Sequence, residues 1–274
     1  MEIIIDYFYN QKINSLNSSR QTMLVHKTCV EHFSKLLMNI SGKLLSRVLS
    51  SFSLSGIRSY MIMRRGLISY KSDNNAGALQ DYTRAIQLNP RNAQAYYLRG
   101  IARNRMNDFS GAIDDFTKSI RYNPGKASAY YHRGDAYFQL KEYPLAMKDL
   151  ETVLKLNPHL TEALCYSGNT RVQMNDLAGA LKDYTKAIST DSNDPALYYN
   201  RGNVRLQMHD PHGALQDYNI AIQLNPEFAE AYMGRGNAKL ELGSQAGAEI
   251  DFTRAEKILK RRNSIPPLTN PIVG

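Results

Sequence analysis

Glycine, alanine and large apolar residues recur in this chain with a period of 34 residues between about residue 59 and residue 262. The glycines are Gly66, Gly100, Gly134, Gly168, Gly202 and Gly236. The alanines are Ala78, Ala112, Ala146, Ala180, Ala214 and Ala248. Four residues after each alanine stands a large apolar residue, which is Tyr82, Phe116, Leu150, Tyr184, Tyr218 or Phe252. A fixed period of this length predicts stacked copies of one supersecondary unit.

Each period predicts two helices and two short turns. The second helix ends at an Asn-Pro pair in most units, because proline lacks a donor and disfavours helix in the residue before it. Each pair of helices would leave an apolar face in water, and only stacking on the next pair buries that face. The sequence therefore predicts an all-α solenoid of six antiparallel helix pairs, in units 59–92, 93–126, 127–160, 161–194, 195–228 and 229–262.

These positions resemble those of a known family. Positions are counted from the first residue of each unit. The units carry an aromatic residue at position 4, Gly at 8, Ala at 20, an aromatic residue at 24, Ala at 27 and Pro at 32. This pattern resembles the tetratricopeptide repeat, in a bacterial-type form with Tyr-x-x-Arg-Gly. The pattern departs from the family at Ile62, Leu164, Ser192 and Lys260. The resemblance implies a right-handed superhelix whose concave face, lined by the first helices, binds peptide segments of other proteins.

One function of that family is not expected here. Its chaperone-tail binders clamp a terminal carboxylate with Lys at position 5 and Asn at position 9 of the first unit. In this chain those positions hold Met63 and Leu67. The two residues offer no charge or amide to a carboxylate, so binding of that tail is not predicted.

Composition and charge reduce the number of function classes that are expected for this chain. The formal net charge of +9 would suit nucleic acid or an anionic membrane. However, basic residues alternate with Asp and Glu through the repeats, and a nucleic-acid footprint should be clustered. Cys29 and Cys165 are far apart and form no disulfide framework. A cytoplasmic protein that does not bind nucleic acid is expected.

The sequence shows no catalytic motif, so we expect a non-enzyme without a metal or other cofactor. It contains no Gly-rich phosphate loop, no HExxH and no nucleophile elbow. His26, Cys29 and His32 are spaced by three residues. Ligands spread in this way around one helix rarely converge on a tetrahedral metal.

Residues 1–58 and 263–274 do not follow the repeat. In the first segment, apolar residues recur every three or four positions from Val30 to Phe52, a helical stripe with many lysines and arginines nearby. This stripe predicts either a helix that caps the open end of the first unit or a basic helix lying on a membrane surface. The second alternative would make the protein peripheral at a membrane. The Pro-rich tail 263–274 is expected to be disordered.

Arginine at position 7 and aspartate at position 23 predict a structural ladder of ion pairs, because a guanidinium can hold a carboxylate with two hydrogen bonds. Its members are Arg65, Asp81, Arg99, Asp115, Arg133, Asp149, Arg201, Asp217, Arg235 and Asp251. The spacing leaves open whether each pair forms within one unit or between two. Unit 161–194 has Ser167 at position 7, so either Asp149 or Asp183 is expected to lack a partner.

The face of the first helices opposite the core is the candidate peptide-binding groove. Its residues are Met63, Leu67, Lys71, Tyr97, Ile101, Arg105, Tyr131, Asp135, Asn169, Tyr199, Asn203, Met233 and Asn237. Tyr and Met are typical of adaptable contact surfaces. Basic residues favour the early units and acidic ones the later units, so we expect the apolar and acidic part of an extended partner segment to lie on the first two units.

Three asparagines stand at position 9 of consecutive units, namely Asn169, Asn203 and Asn237. Each side-chain amide can donate to and accept from the backbone of an extended peptide. The alternative is that these amides only form hydrogen bonds between units. The sequence thus predicts a scaffold or adaptor that binds a peptide segment of a partner protein. The alternative function is a membrane-surface or nucleic-acid tether that uses residues 1–58, with the repeats as a spacer.

Overall fold

The computed structural model describes residues 54–264, which form twelve α-helices and no strand. The helices are α1 (Leu54–Lys71), α2 (Asn75–Leu88), α3 (Ala93–Arg105), α4 (Phe109–Tyr122), α5 (Ala127–Gln139), α6 (Tyr143–Leu156), α7 (Thr161–Gln173), α8 (Leu177–Thr190), α9 (Pro195–Gln207), α10 (Pro211–Leu224), α11 (Ala229–Glu241) and α12 (Gln245–Ser264). The predicted all-α class is confirmed. The predictions for segments 1–58 and 263–274, a cap or membrane helix and a disordered tail, lie mostly outside the described residues. Residues 54–58 belong to α1, and residues 263–264 belong to α12.

The described chain divides into two compact bodies between residues 107 and 108. The first body, residues 54–107, contains α1, α2 and α3. The second body, residues 108–264, contains α4 to α12. The division falls between α3 and α4, inside the predicted unit 93–126. Within each body, every helix packs against the helix that follows it in sequence.

The turn between the two helices of a pair has the same geometry each time. It contains a residue with φ between 58° and 78°, which is Asp73, Asn107, Lys141, Asn175, His209 or Gly243. In four pairs, the next residue caps the second helix by accepting a hydrogen bond from a glycine N–H three residues later, and these residues are Asn74, Asp108, Asp176 and Asp210. The first helix therefore ends and the second begins within a few residues.

Large apolar side chains of the second helices fill the core. In the first body, Tyr82 packs between α1 and α3 with Ala78 and Ala102. In the second body, Tyr218 packs with Ala214 of its own helix and Ala238 of α11. Each such ring lies against both its own pair and the following one. This packing fixes the first helices, which carry the candidate binding residues.

Candidate functional site

In the first body, the candidate residues lie at different depths. Met63 is 7% exposed and packs with Tyr82 of α2 and Ala95 of α3. Because these neighbouring helices cover it, Met63 is not available to a ligand, which differs from the sequence prediction. The remaining candidates at positions 5 and 9, all half-buried, are Leu67, Tyr97 and Ile101.

The two basic candidates of the first body differ in their contacts. Lys71 is exposed at the end of α1. Arg105 donates from Nη2 to Asp73 Oδ1 at 2.5 Å and from Nη1 to the Tyr70 carbonyl at 3.3 Å. Its guanidinium also lies 5.0 Å from the centroid of the Tyr70 ring. Arg105 therefore ties α3 to the turn after α1, and part of its charge is already compensated.

In the second body, the first helices α5, α7, α9 and α11 present a mixed surface. Tyr131 and Tyr199 are half-buried, whereas Met233 and Asn237 are exposed. The Tyr199 ring lies 5.1 Å from that of Phe228, centroid to centroid. Part of each tyrosine thus supports the core, and the rest remains open to solvent.

Two of the three asparagines have fixed orientations. The Tyr184 hydroxyl donates to Asn169 Oδ1 at 2.6 Å, and the Tyr218 hydroxyl donates to Asn203 Oδ1 at 2.7 Å. Both bonds lie within one unit, so neither matches the expected alternative of bonds between units. Among the described residues, neither Nδ2 group donates to the protein. Each amide therefore keeps its donor for another molecule.

The first body lacks this arrangement. Tyr82 stands at the same repeat position as Tyr184, but position 9 of its unit is Leu67. The Tyr82 side chain is 1% exposed, and its hydroxyl has no hydrogen-bond partner among the described residues. Burial raises the pKa of that hydroxyl, and nearby Tyr70 and Asp81 act in the same direction. Leu67 therefore leaves a buried hydroxyl unsatisfied.

This contrast predicts opposite responses to one substitution. Tyr82→Phe is expected to leave the free energy of unfolding unchanged or to raise it, because the change removes an unsatisfied buried hydroxyl. Tyr218→Phe is expected to lower it by about 1 kcal/mol, because it removes the hydrogen bond to Asn203. Urea denaturation followed by circular dichroism measures both values. Equal losses in the two variants would contradict this account.

Asp135, at position 9 of unit 127–160, also accepts hydrogen bonds from other side chains. The Tyr166 hydroxyl donates to Asp135 Oδ1 at 2.6 Å, and Gln139 Nε2 donates to the same oxygen at 3.3 Å. Burial, together with the carboxylate of Asp135, raises the pKa of the Tyr166 hydroxyl. This bond joins α5 to α7 on the face that carries the candidate residues.

Four of the arginines at position 7 hold aspartates of their own helix pair. Arg133 donates from Nε and Nη2 to Asp149, each at 2.7 Å. Arg201 donates to Asp217 at 3.0 and 2.6 Å. The same paired geometry joins Arg65 to Asp81 and Arg235 to Asp251. Burial alone would raise the pKa of Asp251, but hydrogen bonds from Arg235 and Lys239 hold it below its ordinary value.

Four arginines at position 7 also reach the preceding helix pair. Their Nη1 atoms donate to a polar residue at position 25, at distances of 2.8 to 3.4 Å. The pairs are Arg99–Thr83 in the first body, and Arg133–Thr117, Arg201–Thr185 and Arg235–Asn219 in the second. Each of these arginines is therefore a bridge between two helix pairs. Asp115, the remaining member of the predicted ladder, is buried on α4.

Asp183 is not without a partner, so that expectation was wrong. It accepts hydrogen bonds from Ser167 Oγ at 2.6 Å and from Arg171 Nε at 2.9 Å. Arg171 stands at position 11, one helical turn after Ser167. Basic residues at this position in the last three units, Arg171, Arg205 and Lys239, all reach the aspartate of their unit. Their recurrence in the sequence was a signal that the prediction missed.

Two further properties concern residues 54–264. None of the helices there combines the length and the apolar character that crossing a membrane requires. The same stretch does not bring three or more His, Cys, Asp or Glu side chains together as a metal site would need.

Family models match most of the repeat region. A model described as TPR repeat matches residues 66–107 and 168–208. Two models described as tetratricopeptide repeat match residues 127–160 and 195–228, and residues 93–126. A search of curated protein sequences finds no significant match to the chain.

Several solved structures share the fold. MamA from Desulfovibrio magneticus RS-1 is 19% identical, with 63% of this chain and 97% of that chain covered and a TM-score of 0.60. YrrB, described as a TPR protein with an unusual peptide-binding site, is 23% identical, with 63% and 89% covered and a TM-score of 0.58. PilF from Pseudomonas aeruginosa is 15% identical, with 76% and 95% covered and a TM-score of 0.64. At these identities the likeness concerns the fold alone. The repeat matches and the repeated helix pairs show that this chain belongs to the tetratricopeptide repeat family.

Proposed function

We propose that the chain is a non-enzymatic protein-interaction scaffold, and that α5, α7, α9 and α11 bind an extended peptide segment of a partner protein. Membership of the repeat family supports the scaffold role. YrrB is a precedent for a peptide-binding site on this fold. The observation that carries the proposal is the pair of oriented amides, Asn169 and Asn203.

The two amides suit a peptide backbone. Each Oδ1 is held by a tyrosine hydroxyl, so each Nδ2 is directed without further loss of side-chain freedom. Adjacent first helices touch, since Asn200 Nδ2 of α9 lies 3.8 Å from Cys165 Sγ of α7. Packed helices are on the order of 10 Å apart, and an extended chain rises about 3.3 Å per residue. The distance between the two helices therefore corresponds to about three residues of an extended segment.

The other candidate residues would add contact area but would not determine which peptide residue lies opposite which helix. The open parts of Tyr131 and Tyr199 offer rigid aromatic surface, and Met233 offers an adaptable one. Asn237 is exposed, and Phe252 supplies no hydroxyl to orient it. In the first body, the exposed Lys71 and the half-buried apolar residues Leu67 and Ile101 suit an apolar and acidic segment. We further propose that the repeats comprise the six units predicted from the sequence and that the protein is cytoplasmic.

The test removes the two donors and keeps the acceptors. Partner segments are first identified by affinity capture and peptide mapping, and their Kd for the full chain is then measured by calorimetry. Asn169→Asp with Asn203→Asp leaves an oxygen for each tyrosine hydroxyl but no N–H for a carbonyl. We expect this double variant to bind about tenfold more weakly, because it loses two hydrogen bonds of about 0.5–1.5 kcal/mol each.

The control variant replaces two glutamines on α10, the second helix of its pair. Gln216→Ala with Gln223→Ala on α10 removes two amides from residues outside the proposed surface. This variant should bind like the wild type. If both variants bind the same segments equally well, the proposed surface is wrong and residues 1–58 become the next region to test.

A further inference from the structure

The first helix of the last pair, α11, presents an apolar surface to solvent. Met233 and Leu240 are each 46% exposed. Asn237 and Glu241 are exposed on the same side of the helix, because the other members each lie three or four residues from Asn237. We call these four residues the α11 patch. It consists of an amide with two large apolar side chains and one carboxylate around it.

The corresponding apolar residues of α9 are partly covered by the next helix pair. Tyr199 and Leu206 occupy the same repeat positions as Met233 and Leu240, and both are half-buried. They pack against a core cluster that contains Ala238 of α11. Within residues 54–264, no first helix follows α11, so its two apolar side chains keep the area that a neighbour covers on α9. Large apolar side chains that are exposed together are typical of a contact surface.

Glu241 gives the patch a negative charge. Lys239, the nearest cation along α11, is held by Asp251 at 2.8 Å. Among residues 54–264, no cation is paired with Glu241. Burial raises the pKa of the Tyr218 hydroxyl, and the charge of Glu241 acts in the same direction. The Glu241 carboxylate therefore lies near the hydroxyl that holds Asn203.

The patch also continues the row of asparagines. Asn203 of α9 and Asn237 of α11 occupy the same position of consecutive units, and the two helices are in contact. A segment whose backbone accepts from Asn203 therefore meets Asn237 where it continues past α9. An exposed amide between two apolar side chains suits a peptide residue, because the backbone of that residue is polar and its side chain can be apolar.

We propose that the α11 patch receives a large apolar side chain of the bound peptide segment, and that a lysine or arginine stands next to it in that segment. This inference rests on the proposed function and adds the chemistry of two residues of the partner. Contact with Met233 and Leu240 removes apolar surface of both molecules from water. The flexible methionine adapts to side chains of different shapes. The cation of the segment is attracted to Glu241.

A peptide selection tests both residues without knowledge of the partner. A random 12-residue phage library is selected on the full wild-type chain, on the variant Met233→Ser with Leu240→Ser, and on the variant Glu241→Gln. The substituted residues are exposed, so both variants are expected to fold.

We expect the wild-type pool to be enriched in a large apolar residue next to a cation. The pool of the serine variant should lose the apolar residue, and the pool of the glutamine variant should lose only the cation. Replacing the apolar residue by alanine in a selected peptide should raise Kd about tenfold on the wild type. The same replacement should leave Kd nearly unchanged on the serine variant.

The control removes two exposed leucines outside the proposed surface. Leu156→Ser with Leu224→Ser changes side chains that are 50% and 38% exposed on α6 and α10, and its pool should keep both residues. A wild-type pool that lacks either preference, or the same pool from all four chains, would overturn the inference while leaving peptide binding intact. If no peptide is selected by any chain, the proposed function itself fails.

Sedimentation velocity of the full chain tests a different occupant of the patch. We expect the wild type and the serine variant to have the same oligomeric state. If the wild type forms dimers and the serine variant does not, a second copy of the chain covers the patch and the inference is wrong.

Discussion

Replacing Asp217 with alanine is expected to lower the free energy of unfolding by about 3 kcal/mol. Its side chain is 1% exposed and accepts hydrogen bonds from Arg201 at 3.0 and 2.6 Å and from Arg205 at 2.9 Å. The change leaves two guanidinium groups without their acceptor. They remain 13% and 24% exposed, so water compensates part of the loss, and the expected effect lies at the lower end for a broken buried ion pair.

Urea denaturation of the full chain measures this effect, and two other aspartates serve as controls. Asp114 is exposed on α4, and Asp114→Ala should change stability by no more than about 0.5 kcal/mol. Asp183 is held by one arginine and one serine, and its side chain is more exposed than that of Asp217. Asp183→Ala should therefore cost less than Asp217→Ala. A uniform response at the three positions would show that the ion pairs do not hold the helix pairs together.

Replacing Gly202 with alanine is expected to cost about 2–3 kcal/mol. A Cβ atom at this position would lie 2.9 Å from an atom of the Tyr218 ring. That ring is fully buried and packs with α11, and its hydroxyl is bonded to Asn203. It therefore cannot move aside without disturbing the next helix pair and the oriented amide.

Gly134 is the matched control, since it occupies the same repeat position opposite Leu150 instead of a tyrosine. There, a Cβ atom would meet the Ala146 carbonyl at 3.3 Å and Leu150 at 3.7 Å. Gly134→Ala should accordingly cost about 1 kcal/mol or less. Thermal or urea unfolding of the two variants gives the comparison. A larger loss at Gly134 than at Gly202 would be inconsistent with ring contact as the cause.

The helix pairs could be predicted from the sequence because their determinants recur at fixed positions. Gly202 and Ala214 set how closely two helices approach, and the Asn-Pro pairs end the second helices. These are local backbone and packing constraints that leave a periodic trace. The all-α fold class followed from them directly.

The candidate site was less predictable, because it depends on contacts between distant positions. The burial of Met63 is set by α2 and α3, which its own helix pattern does not show. The orientation of Asn203 depends on Tyr218, 15 residues later, and only a comparison of positions 9 and 24 across units could have indicated it. The hydrogen bond from Tyr166 to Asp135 likewise joins residues of two different units.

The junction between α6 and α7 has a consequence for cooperativity. Arginine bridges cross the junction of α2 with α3 in the first body, and those of α4 with α5, α8 with α9 and α10 with α11 in the second. At α6 to α7, position 7 is Ser167, which donates to Asp183 of its own pair and contacts Met147 Sδ of α6 at 3.6 Å, and position 25 of the preceding unit is Glu151. In an array whose stability is a sum of unit and nearest-neighbour terms, this boundary has no such arginine bridge among the described residues, and contacts such as that of Tyr143 Oη with Gln173 Oε1 at 3.4 Å take its place.

The hydrogen bond from Tyr166 to Asp135 is a polar link that joins α5 to α7 across that boundary. A ligand that binds Tyr166 and Asp135 more strongly when the two helix pairs are packed together strengthens the coupling between the pairs by that difference in binding free energy. Binding of such a ligand would then favour unfolding of the repeats on either side as one cooperative array rather than as separate blocks.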